Sequence, residues 1–341
     1  MAQPQRISGE DQTVFKIGTI EANEGKKTTG YIKVAELPIG EVVVPLTIIN
    51  GTQNGPKLLV EAGIHGTEYP GIKAAQVLAQ EIKPSQLKGT LIILHCANVP
   101  MYNAKTAFVN PIDDINFNRI FPGQPTFTGF YGPGSISHHI TDYIYENIMK
   151  KATHFIDLHG GDLPELCPCF AVSTKTGDEN KDKDTEAMLK YSLADFVTLR
   201  PPNQALTTTG AASRAQIPNM LIESGGGGLL SVENTGRHVN AVINVMKYLK
   251  MLEGKPTEPK TQRRLTELAV GIRAKRGGFF TYMVNAGDVV KEGQLIGQIT
   301  NPFGEVLEDI KAPMRGAVNI INFLSAKNTG DPLFSIVELA N

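Results

Sequence analysis

Two apolar runs in this chain end in the same way, and that repetition restricts the possible folds more than any other feature. The first, Leu58-Leu59-Val60-Glu61-Ala62, gives out into Gly63-Ile64-His65-Gly66-Thr67-Glu68. Pro70 then opens a helix whose apolar face carries Ala75, Leu78 and Ile82. The second run, His154-Phe155-Ile156-Asp157-Leu158, ends in His159-Gly160-Gly161. Each reads as a short buried strand with a histidine near its carboxyl end and glycine for a sharp exit. Open α/β sheets place their ligands at that end of their strands. His65 and Glu68, three residues apart on one Gly-flanked turn, can hold the same cation. A catalytic zinc needs a third protein ligand and leaves its fourth position to water; two imidazoles and one carboxylate form such a set. His159 is the natural third member. Taken singly, each residue also fits a plain strand-end or turn role, so the pattern gains its force from the combination.

Two further stretches extend it. Asn116-Phe117-Asn118-Arg119-Ile120-Phe121-Pro122-Gly123 sets an amide and a guanidinium side by side before a Pro-Gly turn, and a planar fork suits a carboxylate. Asn219-Met220-Leu221-Ile222-Glu223-Ser224 is a strand with a carboxylate near its end, followed by Gly225 to Gly228. A Glu there can stand beside an activated water and take its proton.

The ordered set His65-x-x-Glu68, Asn118-Arg119, His159 and Glu223 resembles the succinylglutamate desuccinylase/aspartoacylase family, part of the group built on the zinc carboxypeptidase fold. The likeness runs from Val44 to Leu252. It implies one zinc ion held by His65, Glu68 and His159, with Glu223 as general base and then general acid. It also implies a substrate carboxylate gripped by Asn118 and Arg119. The reaction expected is hydrolysis of the amide of a small N-acyl amino acid or related N-acyl amine. Several relatives carry another arginine shortly before the Asn-Arg pair, which polarises the scissile carbonyl. Residues 101–110 contain none, and Lys105 is the cation available there, a flexible point charge rather than a fork. Arg214, ahead of the Glu223 strand, is a further candidate for a second substrate charge. Tyr131 and Tyr282 are weaker donor candidates. The rivals are a metallocarboxypeptidase acting on short peptides, which uses the same ligands, and a non-catalytic ligand-binding relative.

Composition narrows the partners. A formal net charge of -1 over 341 residues gives no field that would draw the chain to nucleic acid or anionic membrane. No apolar run reaches the ~18 residues of a spanning helix, and Met1 to Asp11 lacks the apolar core of a signal peptide. Cys96, Cys167 and Cys169 are an odd number, poorly spaced for a disulfide framework, which suits a reducing cytoplasm. The expected partner is a small carboxylate-bearing amide; self-association into a homo-oligomer is left open.

Strands alternating with helices predict an α/β fold, a mixed sheet flanked by helices in the manner of zinc carboxypeptidases. Four segments are expected: an amino-terminal extension with strands over 1–40, a hydrolase domain over 41–254, a linker over 255–264, and a carboxy-terminal β domain over 265–341. Helices are predicted over Ser135–Lys151 and Gly236–Gly254, the second stopped by Gly254 and Pro256. Lys175 to Lys190 alternates acids and lysines and reads as solvated surface. In the last segment, Gly287–Gly297 and Ala312–Val318 resemble the halves of a lipoyl/biotinyl carrier barrel. The tip between them, Asn301-Pro302-Phe303-Gly304, has no lysine, so the shape is inferred without the carrier function.

Overall fold

Leu58, Leu59 and Val60 are all fully buried, which a strand achieves only when both faces of its sheet are covered. The structure, a computed structural model, describes residues 14–126 and 134–340. Met1 to Asp11 and Tyr131 lie outside the described residues. A hairpin of β1 (Val14–Ile17) and β2 (Ile20–Asn23) precedes β3 (Lys27–Glu36), β4 (Glu41–Asn50) and β5 (Gln53–Ala62). There follow α1 (Tyr69–Glu81), β6 (Lys88–Leu94), α2 (Val99–Ala104) and α3 (Ile136–Asn147). Next come β7 (His154–His159), β8 (Glu165–Thr174), α4 (Glu179–Tyr191), β9 (Phe196–Arg200), α5 (Thr208–Arg214), β10 (Asn219–Gly226) and α6 (Val232–Tyr248).

The centre of the sheet is parallel: β10 pairs with β7, β7 with β5, and β5 with β6. Antiparallel β4 and β3 extend one side, and antiparallel β8 adjoins β10 on the other. Alternation along β5 sorts the layers. Leu58, Val60 and Ala62 pack with Leu78 of α1, Met188 of α4 and Val242 of α6. Leu59 packs on the opposite face with Ile140 of α3, Ala211 of α5 and the amino-terminal hairpin. Each such side chain contributes about 1.5–3 kcal/mol on burial, so the α/β/α layers are held mainly by apolar burial. The predicted mixed α/β sheet is present.

Beyond residue 262 the described chain forms only strands: β11 (Arg263–Arg273), β12 (Gly278–Tyr282), β13 (Val289–Val290), β14 (Leu295–Thr300), β15 (Val306–Lys311), β16 (Gly316–Asn322), β17 (Ala326–Lys327) and β18 (Pro332–Leu339). Four of them continue the central sheet: β11 runs parallel to β9, then β18, β16 and β13 follow in that order. β16 also pairs with β8. The order β15-β14-β12-β17 makes a second sheet. The two share a core of Phe280, Val290, Ile296, Ile299, Leu333 and Phe334.

Two sequence expectations need correction. The last helix begins at Val232, where the Ser231 hydroxyl caps it by accepting from Asn234 N at 3.3 Å, and it ends at Tyr248. Lys250, at φ 59°, turns the chain away before Gly254 is reached. Lys175 to Lys190 is not simply solvated surface, since residues 179–191 are helix α4. Asp178 caps α4 by accepting from Asn180 N and Lys181 N at 2.9 and 3.2 Å, an interaction of about 1 kcal/mol. Met188 and Leu189 alone anchor its apolar stripe, too few to stand out among the charges.

Candidate active site

β5 ends at Ala62, and the turn that follows carries His65 and Glu68 before α1 begins at Tyr69. The turn must be tight: a Cβ on Gly66 would meet Tyr102 N at 2.3 Å. Asp162, fully buried, accepts from Thr67 Oγ1 and, at 2.6 Å, from Phe108 N, tying this turn to the one after β7. β7 lies beside β5 and delivers His159 to the same rim. One ligand atom each from His65, Glu68 and His159 lie within 4.8 Å of one another. Glu68 stands between the rings, with Oε1 2.7 Å from His65 Nδ1 and Oε2 2.9 Å from His159 Nδ1. Gly160 N donates to Glu68 Oε2 at 3.0 Å and fixes the carboxylate.

The far nitrogens have partners too. His159 Nε2–H donates to Asp157 Oδ2 at 2.9 Å, and His65 Nε2 faces Asn116 Oδ1 at 3.2 Å. An acceptor at each Nε2 selects the tautomer whose free lone pair is on Nδ1, the form that binds a metal. The donor set therefore fits a divalent ion: two imidazoles and a carboxylate, converging and almost fully withdrawn from water. Without an ion, burial disfavours every charge here, but the carboxylates and rings hold each other charged. Burial would lift the Glu68 carboxyl, yet His65 and His159 bring it down to about 2. Burial would likewise lower His159, and Asp157 with Glu68 carry it well above the usual imidazole range.

Glu223 sits directly across from His159 in the β10–β7 register, so both point to the same sheet face. Burial first, then the nearby Glu68 charge, push its carboxyl well above the ordinary range. Beyond it, Gly225 to Gly228 all adopt positive φ (89°, 155°, 69° and 63°), a path only glycine follows freely. Asn118 lies on a short 3-10 turn, Phe117–Arg119, and its Oδ1 accepts from Thr208 N at 3.0 Å. The Thr208 hydroxyl also donates to Asp157 Oδ2 at 2.6 Å, joining this turn to β7 through α5.

His65, Glu68, Asn118, Arg119 and Glu223 all line one cavity of about 370 Å³. Lys105 and Arg214 are not among its walls. Lys105 is exposed on a left-handed residue at the end of α2, with Nζ 3.4 Å from Asn103 O. Arg214 donates to Ala205 O and Phe121 O, bracing a loop. Tyr282 is exposed on β12. The cavity has residues that sequence reasoning missed. Arg200, at the end of β9, is a second guanidinium there, close enough to Arg119 for their charges to repel. Glu165 is raised to about 7 by burial, Glu68 and Asp162. Asp157 supports His159, and the Asp-x-His spacing on a strand was its available signal, because residues i and i+2 share a face. Leu265, Glu267, Asn319, Ser335 and Val337, all from the carboxy-terminal strands, form the opposite wall.

The family model described as the succinylglutamate desuccinylase/aspartoacylase catalytic domain matches residues 54–249, more than half of the chain. The chain is 27% identical over 322 residues to the N-alpha-acetyl-L-2,4-diaminobutyric acid deacetylase of Halomonas elongata, covering 91% of each. Among solved structures it resembles the product-bound ectoine utilization protein EutE (DoeB) from Ruegeria pomeroyi, with a TM-score of 0.84 and 24% identity over 96% of this chain and 100% of that one. It also resembles a succinylglutamate desuccinylase/aspartoacylase from Rhodobacter sphaeroides, with a TM-score of 0.81 and 22% identity over 92% and 96% of the two chains. Those likenesses speak for the fold.

Proposed function

We propose, for a chain that belongs to the succinylglutamate desuccinylase/aspartoacylase family, that it is a zinc-dependent deacylase cleaving the amide bond of a small N-acyl amino acid. The observation that carries this reading is the convergence of His65, Glu68 and His159 within 4.8 Å, with Glu223 across from His159 on the neighbouring strand. In it, those three side chains would hold the ion, offering His65 Nδ1, His159 Nδ1 and a Glu68 oxygen. Zinc, when bound, would supply Lewis-acid activation, bringing the pKa of water from 15.7 to about 7 and polarising a carbonyl.

The remaining work falls to the protein. Glu223, whose carboxyl burial raises, is the base; it takes a proton from the attacking water and returns it to the departing nitrogen. The acyl carbon gains oxygen and loses nitrogen, giving a carboxylate and an amine. Asn118 and Arg119 orient the substrate through its carboxylate, which supplies proximity. Arg200 takes the second cationic role, for which Lys105 and Arg214 stand too far aside.

The cavity's size, near the lower end for ligand pockets, suits a small molecule. The carboxy-terminal wall restricts it further, which argues against a peptidase that must admit a chain. The relative from Halomonas elongata deacetylates a diamino acid derivative, as its name states, and an N-acetylated amino acid of that size is the substrate class favoured here. We read residues 41–254 as the hydrolase domain and 265–341 as a β domain of lipoyl/biotinyl-like shape closing its site. No helix among the described residues is long and apolar enough to cross a membrane; a cytoplasmic setting suits the three thiols.

The test is a hydrolysis screen of N-acyl amino acids with protein of known metal content. Amine release from N-acetyl amino acids should vanish with chelation and return with zinc. Release indifferent to the chelator, or cleavage of peptides alone, would count against the reading.

A further inference from the structure

Asn319 has a placement that the reaction described so far does not use. It lies on β16, where the pairing with β18 slips: Val318 faces Ile336, but Ile320 faces Ser335. One residue is therefore extra. Val318 and Ile321, three apart, both enter the core between the two carboxy-terminal sheets, whereas strict alternation would send them to opposite faces. The bulge absorbs the mismatch by setting Asn319 and Ile320 together on the other side, and both line the catalytic cavity. Bulges recur next to active sites because they re-aim a side chain.

Asn319 is only 9% exposed, and its Oδ1 has no hydrogen-bond partner among the described residues. A buried acceptor without a donor is unusual and destabilising, unless something else supplies the donor. The neighbouring strand repeats the device: β11 and β18 lose register between Leu265 and Ala269, and Glu267 from that irregular stretch lines the same cavity. Glu165 stands on the wall as well. A neutral acceptor in a cavity whose walls also carry two acids suits a cationic donor better than a neutral one.

We propose that Asn319 is a specificity-determining residue: its side-chain amide accepts a hydrogen bond from an amino group at the far end of the amino-acid half of the substrate. This rests on the deacylase reading and narrows it to N-acyl amino acids with a second, free amine. The carboxylate stays with Arg119 and Arg200, and the distal amine reaches the carboxy-terminal wall.

Binding separates this proposal from the reaction itself. Calorimetry on the zinc-loaded protein would compare 2,4-diaminobutyrate with norvaline, in which a methyl replaces the distal amine. The wild type should prefer the diamine, and Asn319→Leu should reduce the ratio of the two affinities by about tenfold, the worth of one charged hydrogen bond. Asn319→Asp should keep or enlarge the ratio. A wild type without preference, including one that binds neither, overturns the proposal, as does an Asn319→Leu ratio equal to the wild type's. Failure of the wild type to hydrolyse the N-acetyl forms of either compound would instead strike at the deacylase reading.

Discussion

Asp157 and His159 lie two residues apart on one fully buried strand, and the Asp157 carboxylate receives the His159 Nε2–H at 2.9 Å. The pair turns Nδ1 toward Glu68 and decides which nitrogen is offered to an ion. Among the described residues the other Asp157 oxygen has no partner, and Glu61, beside it in the β5–β7 register, is buried with neither oxygen bonded. Burial and the Asp157 charge push the Glu61 carboxyl well above its usual range.

Asp157→Asn should weaken zinc binding by about 10–100-fold, because the ring loses the partner that orients it and raises its basicity. A competition titration against a chelator of known affinity measures this. Unchanged affinity would mean that Asp157 serves only packing.

Glu223→Gln should keep zinc and lower turnover by about 10²–10⁴, the usual worth of a positioned general base. Metal analysis and steady-state rates on the same sample check both halves. Retained turnover would remove the role given to Glu223.

Arg119→Ala and Arg200→Ala should each raise KM for carboxylate-bearing substrates by about 10–100-fold, as expected for loss of a charge-assisted hydrogen bond. Neutral amides should be affected much less. An equal loss on both kinds of substrate would point to a structural role.

His238 lies on the second turn of α6, fully buried against the backbone of His159 and Ser224, and burial brings its pKa down to about 4. Its neutral form is the folded one. Between pH 6.5 and 4 the unfolded chain binds more protons there, so this contribution is complete above about pH 6.5 and lost as pH falls toward 4. By pH 5 the loss is about 2 kcal/mol. Denaturant melts of chelator-treated protein at pH 7.5 and 5 should show a smaller acid loss in His238→Phe than in the wild type. The raised rings of His65 and His159 respond in the opposite sense and are present in both proteins, so the comparison reads the difference between the two slopes. Equal slopes would refute the assignment.

How far these features could be read in advance depended on whether their cause was local. His65 and Glu68 follow a strand that runs into glycine, and His159 and Glu223 lie near the ends of two more, a punctuation written in adjacent residues. Asn118 and Arg119 stand next to each other and before Pro122-Gly123. Arg200 ends a strand with nothing to distinguish it, and becomes part of the site only because β9 sits between β8 and β11. Asn319 is more remote still, since a bulge is a property of two strands in register. Lys105 has the charge and the place in the sequence, but its left-handed backbone at the end of α2 carries it outward. Helix α4 leaves a faint periodic signal because its apolar burial rests on Met188 and Leu189 within a charged run.

The central claim is that His65, Glu68 and His159 share one divalent ion, and zinc stoichiometry in wild type and His159→Ala tests it most directly. After dialysis against zinc and removal of the excess, the wild type should retain one zinc per chain, and folded His159→Ala should retain almost none. A wild type that takes up no zinc, or a variant that holds as much as the wild type, would contradict the account.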